Sequence, residues 1–368
     1  MRAITLLALG LGSCALAHEE AVPGAWSIEE RAGEDAITAA AVGGTDEEQF
    51  YAMRGRVGGK RQLRAYERGD GSLAWSADVA GVCSPPVSVD GSVFCPASAL
   101  FAFNATSGER LWSVPSDSTF GLVHGTADAR RAFAGTLTSA LAADAETGEV
   151  LWRRGFSGPG WTTVRLRSFH LDGGDLLVSL EAGFDRNAVL SASVVVALDP
   201  ATGAERWRFV DGDGTTDRGI GRLTTWEGLV LYSDATGGEV VAFDRATRSV
   251  VWRVPWEAGF LGSYQPPQVA DGVAYWATGD ERAYAADART GAMRWRERGG
   301  QGSLVHHEVC GPVLIADVAS ALRVFRLSDG RYLGERLRDE SIGQMAVADG
   351  FAYVSTDRGV YALDCASL

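Results

Sequence analysis

The chain has 368 residues, of which 46% are apolar, enough to build one large core or two ordinary ones. Glycine is abundant (46 residues) and lysine nearly absent, a composition of many short strands and tight turns rather than long helices. A formal charge of −13 opposes phosphate backbones and anionic headgroups, so no nucleic-acid partner is expected, and a membrane is reached only through a lipid anchor.

The N-terminus reads as an export leader. Arg2 supplies a minimal positive region, and Ile4 to Leu11 form a short apolar run. Two processing sites compete. Ala15-Leu16-Ala17 before His18 fits a small-x-small cleavage site, making residues 1–17 a signal peptide. Leu11-Gly12-Ser13-Cys14 fits a lipobox, which would lipidate Cys14 and make the leader 1–13. The apolar run is too short to span a bilayer. Residues 18–368 are then expected to form one exported domain, monomeric and periplasmic, outer-membrane-associated or secreted.

From there a repeat governs the chain. A small residue opens each copy and a tryptophan stands ten places on: Ala65 and Trp75, Ala102 and Trp112, Ala142 and Trp152, Ala197 and Trp207, Ala242 and Trp252, Ala285 and Trp295. Val324 and Gly334 form a decayed seventh copy, and Ala362 opens an eighth that stops at Leu368. The copies starting at Ala142, Ala197 and Ala285 keep the full pattern A-x-D-x-x-T-G-x-x-x-W. The spacing, about forty residues, suits four short strands and their turns.

Each copy follows an apolar hairpin with a Gly-containing turn, as in VSVDGSVFCPA, TTWEGLVLYSD, PQVADGVAYWATG and MAVADGFAYVST. Within the motif the Asp side chain can accept backbone N–H groups of the turn, and Gly supplies the left-handed position. The turn positions are Asp144, Gly148, Asp199, Gly203, Asp244, Asp287, Gly291 and Asp364. Trp75, Trp112, Trp152, Trp207, Trp252 and Trp295 then lie on outer strands, as flat surfaces for docking the next unit. One four-stranded sheet cannot bury both faces, but radial repetition does so and leaves short edges.

The eighth copy lacks its last strand. PGAWSIEE, with Trp26 outside any motif of its own, can supply it from the N-terminus and close the ring. The expected fold is therefore all-β, an eight-bladed propeller of four-stranded antiparallel blades. Seven blades is the alternative, because the segment from Gln49 to Trp75 is the least regular.

These motifs resemble the PQQ-type propeller repeats with their tryptophan-docking motif, over nearly the whole chain beyond the leader. The resemblance implies one of two branches. Quinoprotein dehydrogenases hold pyrroloquinoline quinone and Ca²⁺ on the axis, whereas BamB-type outer-membrane assembly lipoproteins hold no cofactor and bind other proteins. The dehydrogenase branch sandwiches its quinone with a disulfide between adjacent cysteines. This sequence has no adjacent pair and lacks the long inserted loops of those enzymes, its largest insert lying between Trp152 and Val194. No catalytic, cofactor-binding or metal residues are therefore assigned, and neither PQQ nor Ca²⁺ is expected.

Other constellations are weak. Cys83 and Cys95 flank one hairpin and are the favoured disulfide, with Cys310 and Cys365 remaining; four buried thiols are the alternative. The stretch Asp211 to Asp217 looks like a calcium loop but puts Arg222 where a bidentate Glu is needed. His306 and His307 would point to opposite faces of a strand. Asn104-Ala105-Thr106 reads as turn chemistry rather than a glycosylation site. The expected function is a non-catalytic scaffold that binds other envelope proteins, among them β-barrel assembly components. A periplasmic quinone oxidoreductase and a ligand-sensing or surface-interaction propeller are the alternatives.

Overall fold

The computed structural model describes residues 26–29, 42–45, 48–55, 61–81, 83, 85–118, 121–122, 124–185, 190–256, 265–299, 306–318 and 320–368. The expected leader and Cys14 lie outside them. The described residues form eight four-stranded antiparallel sheets and no helix. Blades one to eight are named in chain order by their innermost strands: Val42–Thr45, Val87–Val89, His124–Ala127, Thr163–Asp172, Ile220–Trp226, Gln268–Ala270, His307–Cys310 and Ile342–Ala348. Each innermost strand lies against those of its two neighbours, and the first against the eighth, so the ring is closed.

Blade four shows why the sequence folds this way. From the axis outward its strands are Thr163–Asp172, Asp175–Gly183, Ser191–Leu198 and Glu205–Asp211. The third strand, SASVVVAL, is buried at every residue. A strand covered on both faces needs a continuous apolar run rather than alternation. Each such Val or Leu contributes about 1.5–3 kcal/mol by burial. The segment between Trp152 and Val194, the chain's largest insert, goes largely into lengthening the first two strands to 10 and 9 residues.

The apolar clusters sit between blades rather than inside them. Tyr51, Leu63 and Trp75 of blade one pack with Val93, Phe101 and Phe103 of blade two. Phe50, Ala52 and Tyr66 of blade one pack with Tyr353, Val360 and Ala362 of blade eight. At that closing seam Phe50 stacks on both Tyr66 and Tyr353, with centroids 5.1 and 5.0 Å away. Arg68 donates from Nε to the Tyr353 hydroxyl at 2.9 Å and pairs with Asp349.

Closure is also made through the backbone. Trp26–Glu29 pairs antiparallel with Gly359–Asp364 as the outermost strand of blade eight, Trp26 opposite Ala362. That register repeats the pairs Ala65–Trp75, Ala142–Trp152 and Ala285–Trp295. The irregular segment from Gln49 is a full blade, with strands Gln49–Gly55, Arg61–Glu67 and Leu73–Val79 beyond Val42–Thr45.

Candidate functional site

Five tryptophans make one repeated joint. Trp75, Trp112, Trp152, Trp252 and Trp295 each donate from Nε1 to a carbonyl of the next blade: Ala105, Ala145, Pro200, Ala288 and Leu327, at 2.6, 3.0, 3.0, 3.0 and 2.8 Å. Each indole also covers the turn glycine of that blade. A Cβ on Gly108, Gly148, Gly203, Gly291 or Gly330 would meet the ring at 2.5 to 2.8 Å. These glycines also have positive φ, 68° to 76°. The position therefore needs glycine twice, for its backbone and for the missing side chain.

The turn aspartates hold these docking platforms. Asp144 Oδ1 accepts the Glu146 and Thr147 amides and the Thr147 hydroxyl, and Asp287 does the same with Arg289 and Thr290. Asp199 accepts Ala201 and Thr202, Asp244 accepts Thr247, and Asp364 accepts Ala366. The amides of Gly148, Gly203 and Gly291 return to the carbonyls of Asp144, Asp199 and Asp287. Hydrogen bonds from Thr147 hold the Asp144 carboxyl below its ordinary range. Asn104 accepts the Thr106 and Ser107 amides in the same way, as a turn residue.

Two joints depart from the pattern. Between blades four and five the turn glycine is replaced by Arg248, which itself adopts φ 57°. Trp207 there donates to Asp175 Oδ2 of its own blade at 3.2 Å and meets Phe243 of blade five edge-on. Charge replaces the indole-to-carbonyl bond: Asp175 accepts Arg206 of blade four and Arg245 of blade five, both at 2.5 Å. Burial works against the Asp175 charge, but hydrogen bonds from Arg245 and Arg206 hold its carboxyl below the usual range.

Between blades seven and eight the tryptophan is Gly334, opposite Val324. A disulfide crosses this seam instead, from Cys310 at the end of the blade-seven inner strand to Cys365 after the last strand of blade eight. Cys365 occupies the repeat position of Ala105, Ala288 and Leu327, whose carbonyls accept indoles elsewhere. Its amide bonds Gly350, as those three bond Gly91, Gly272 and Pro312. A second disulfide, Cys83–Cys95, ties the approach to blade two to that blade's second strand. The side chain of Trp26 lies outside the described residues.

The axis carries a polar cluster that sequence reasoning missed. His124, Arg167, Arg222, Gln268 and Glu308 come from the innermost strands of blades three to seven, which converge only on the axis. Arg167 and Arg222 stand at β-bulges, where the register slips between Leu166 and Ser168 and between Ile220 and Leu223. A bulge re-aims a side chain. Arg167 is paired with Glu181 at 2.6 Å, and Gln268 donates to Glu308.

The electrostatics of this cluster are those of enclosed groups. Burial, then the charges of Arg222 and Arg167, push the His124 imidazole down to about 4, so it is neutral at ordinary pH. Burial pushes the Glu308 carboxyl up to about 7, against the pull of Gln268, Arg222 and His306. Burial also lowers Arg222, opposed by Glu308. All three keep some solvent contact, as groups lining a channel do. The available signal was a lone charge in an otherwise uncharged innermost strand, as in IGRLTTW.

The other candidates are spoken for. His306 Nδ1 bonds Asp317 at 2.8 Å, while His307 Nε2 bonds the Pro266 carbonyl at 3.0 Å. Asp211 is held by Arg253 and Tyr232, and Asp213 by Thr215 within its own loop. Among the described residues no three His, Cys, Asp or Glu side chains are grouped to hold a metal.

Four known proteins or families resemble the chain. The family profile described as "Outer membrane protein assembly factor BamB" matches residues 25–159, 97–180 and 191–339, most of the chain. BamB from Moraxella catarrhalis superposes with a TM-score of 0.67 at 17% identity, covering 91% of this chain and 95% of that one. A europium-containing methanol dehydrogenase superposes at 0.69 with 12% identity, covering 89% and 83%. At such identities the two structures share the fold alone. The "Serine/threonine-protein kinase AfsK" of Streptomyces griseus is 36% identical over 104 residues, 27% of this chain. The chain spans 13% of that curated relative's length.

Proposed function

The chain belongs to the family of the outer membrane protein assembly factor BamB, and from that membership we propose that it is a non-catalytic propeller that binds other proteins of the cell envelope. The carrying observation is the profile match, which runs through seven of the eight motif copies rather than over one shared repeat. The reading assigns it to the periplasm or the inner face of the outer membrane, with β-barrel assembly components as partners. Fold alone would not choose this role, since a dehydrogenase shares the ring.

The axis favours the scaffold over a quinone enzyme. A divalent cation placed there would meet two guanidiniums, Arg167 and Arg222, beside the Glu308 carboxylate and the Gln268 amide, a poorer shell than the roughly six to eight oxygens Ca²⁺ takes. Five of the tryptophans are committed to blade joints. Cross-linking in intact envelopes followed by affinity purification tests the proposal. Enrichment of a β-barrel assembly component supports it. An envelope bait that brings down none, with the chain folded and exported, rejects the assembly role.

A further inference from the structure

We propose that Arg222, flanked by Arg167 and His124, forms an oxyanion-binding site on the propeller axis that takes a small carboxylate or phosphate. The site is independent of the scaffold role and stands on the axial geometry. Arg222 is enclosed, yet its guanidinium has no hydrogen-bond partner among the described residues. A guanidinium offers five N–H donors in a planar fork, and here they meet only the channel, where a bound oxyanion could accept them. The bulge at Gly221–Arg222 takes this residue out of the regular ladder, and the bulge at Arg167 does the same in the neighbouring blade.

The surrounding groups match such a ligand. His124 is near enough to both guanidiniums for their charge to disfavour its protonation, so the three face a common space. As a neutral imidazole it supplies one N–H donor. Its ring, too, has no hydrogen-bond partner among the described residues. Gln268 and Glu308 stand at the same depth, each in the third-last position of its strand, and close the opposite side. Glu308 faces Arg222 across the channel without bonding it, so it tempers the positive field instead of filling the fork. Arg forks suit planar or tetrahedral oxyanions through paired N–H···O bonds.

Isothermal titration of the purified chain with inorganic phosphate and, separately, with succinate at pH 8 and low salt tests this. Saturable one-to-one binding of at least one anion is expected, and the responding arm tells phosphoryl from carboxylate. Arg222→Gln should weaken that binding by about tenfold or more, as loss of a charge-assisted pair would. Glu308→Gln, which removes the opposing carboxylate, should tighten it severalfold. Circular dichroism shows whether each variant is folded. If Arg222→Gln does not fold, the Glu308→Gln result decides. The proposal is overturned if neither anion binds the wild-type chain saturably, if folded Arg222→Gln binds unchanged, or if Glu308→Gln leaves affinity unaltered.

Discussion

Replacing Trp252 with Ala should be among the most costly single changes in the molecule. The indole is 7% exposed, covers Gly291 and donates to the Ala288 carbonyl at 3.0 Å. Deleting a buried aromatic costs roughly 3–5 kcal/mol, and the orphaned carbonyl adds about 1 kcal/mol. The sum, about 4–6 kcal/mol, approaches the whole stability of many domains. Trp207→Ala is the control. That indole is only half-buried and bonds Asp175, while the pairs of Arg245 with Asp172 and Asp175 still cross the joint. Its loss should cost about half as much, roughly 2–3 kcal/mol, since less apolar surface is given up. Urea unfolding followed by far-ultraviolet circular dichroism reads both without relying on tryptophan fluorescence. Equal costs at the two joints, or a Trp252→Ala cost below about 1 kcal/mol, would refute the reasoning that the indole-on-glycine contact holds the blades together.

Other outcomes follow from the same structure. Replacing both Cys310 and Cys365 with Ser should destabilise by about 4 kcal/mol, against about 3 kcal/mol for Cys83 and Cys95, because loop entropy grows with the sequence separations of 55 and 12; chemical denaturation of the two double variants ranks them. Removing residues up to Glu29 should lower the melting temperature and promote association, since it bares the edge of Gly359–Asp364; light scattering during a melt detects both. Glu308, raised to about 7, binds its proton more tightly folded than unfolded, so its contribution is full below pH 4.5 and is lost as pH rises through about 7. Glu308→Gln should therefore gain stability relative to wild type between pH 5 and 8, by up to roughly 3 kcal/mol. His124 and His307, both held near 4, act oppositely, their stability being lost as pH falls from 6.5 through 4, so variant and wild type are compared at each pH.

The architecture was legible because one joint is written out repeatedly. Ala, Asp, Gly and Trp each answer a local demand: a crowded strand, a turn, a left-handed backbone with no Cβ, and an indole to lie on it. Counting copies gave eight blades, and the unmatched Trp26 gave the closing strand. The exceptions were harder to read. ALDPATGAERW, from Ala197 to Trp207, keeps the full pattern, yet its tryptophan does not make the usual bond. The reason sits in the next copy, where Arg248 replaces the glycine. A motif's own residues cannot reveal that its partner has changed. Likewise, Gly334 marks a decayed copy, but that Cys310 and Cys365 span the same seam depends on distant strands meeting. The axial cluster was the least visible. Its members come from five blades, none stands in the repeat motif, and bulges at Arg167 and Arg222 break the alternation by which strand faces are read.

The proposed role is that this ring binds an envelope protein. Its most direct test is a binding measurement between the purified chain and the soluble periplasmic part of a β-barrel assembly component from the same organism, by surface plasmon resonance at physiological salt. Saturable binding with a dissociation constant in the micromolar range or tighter is expected. Absence of binding, together with dye reduction when pyrroloquinoline quinone and Ca²⁺ are added, would contradict it and favour an enzyme.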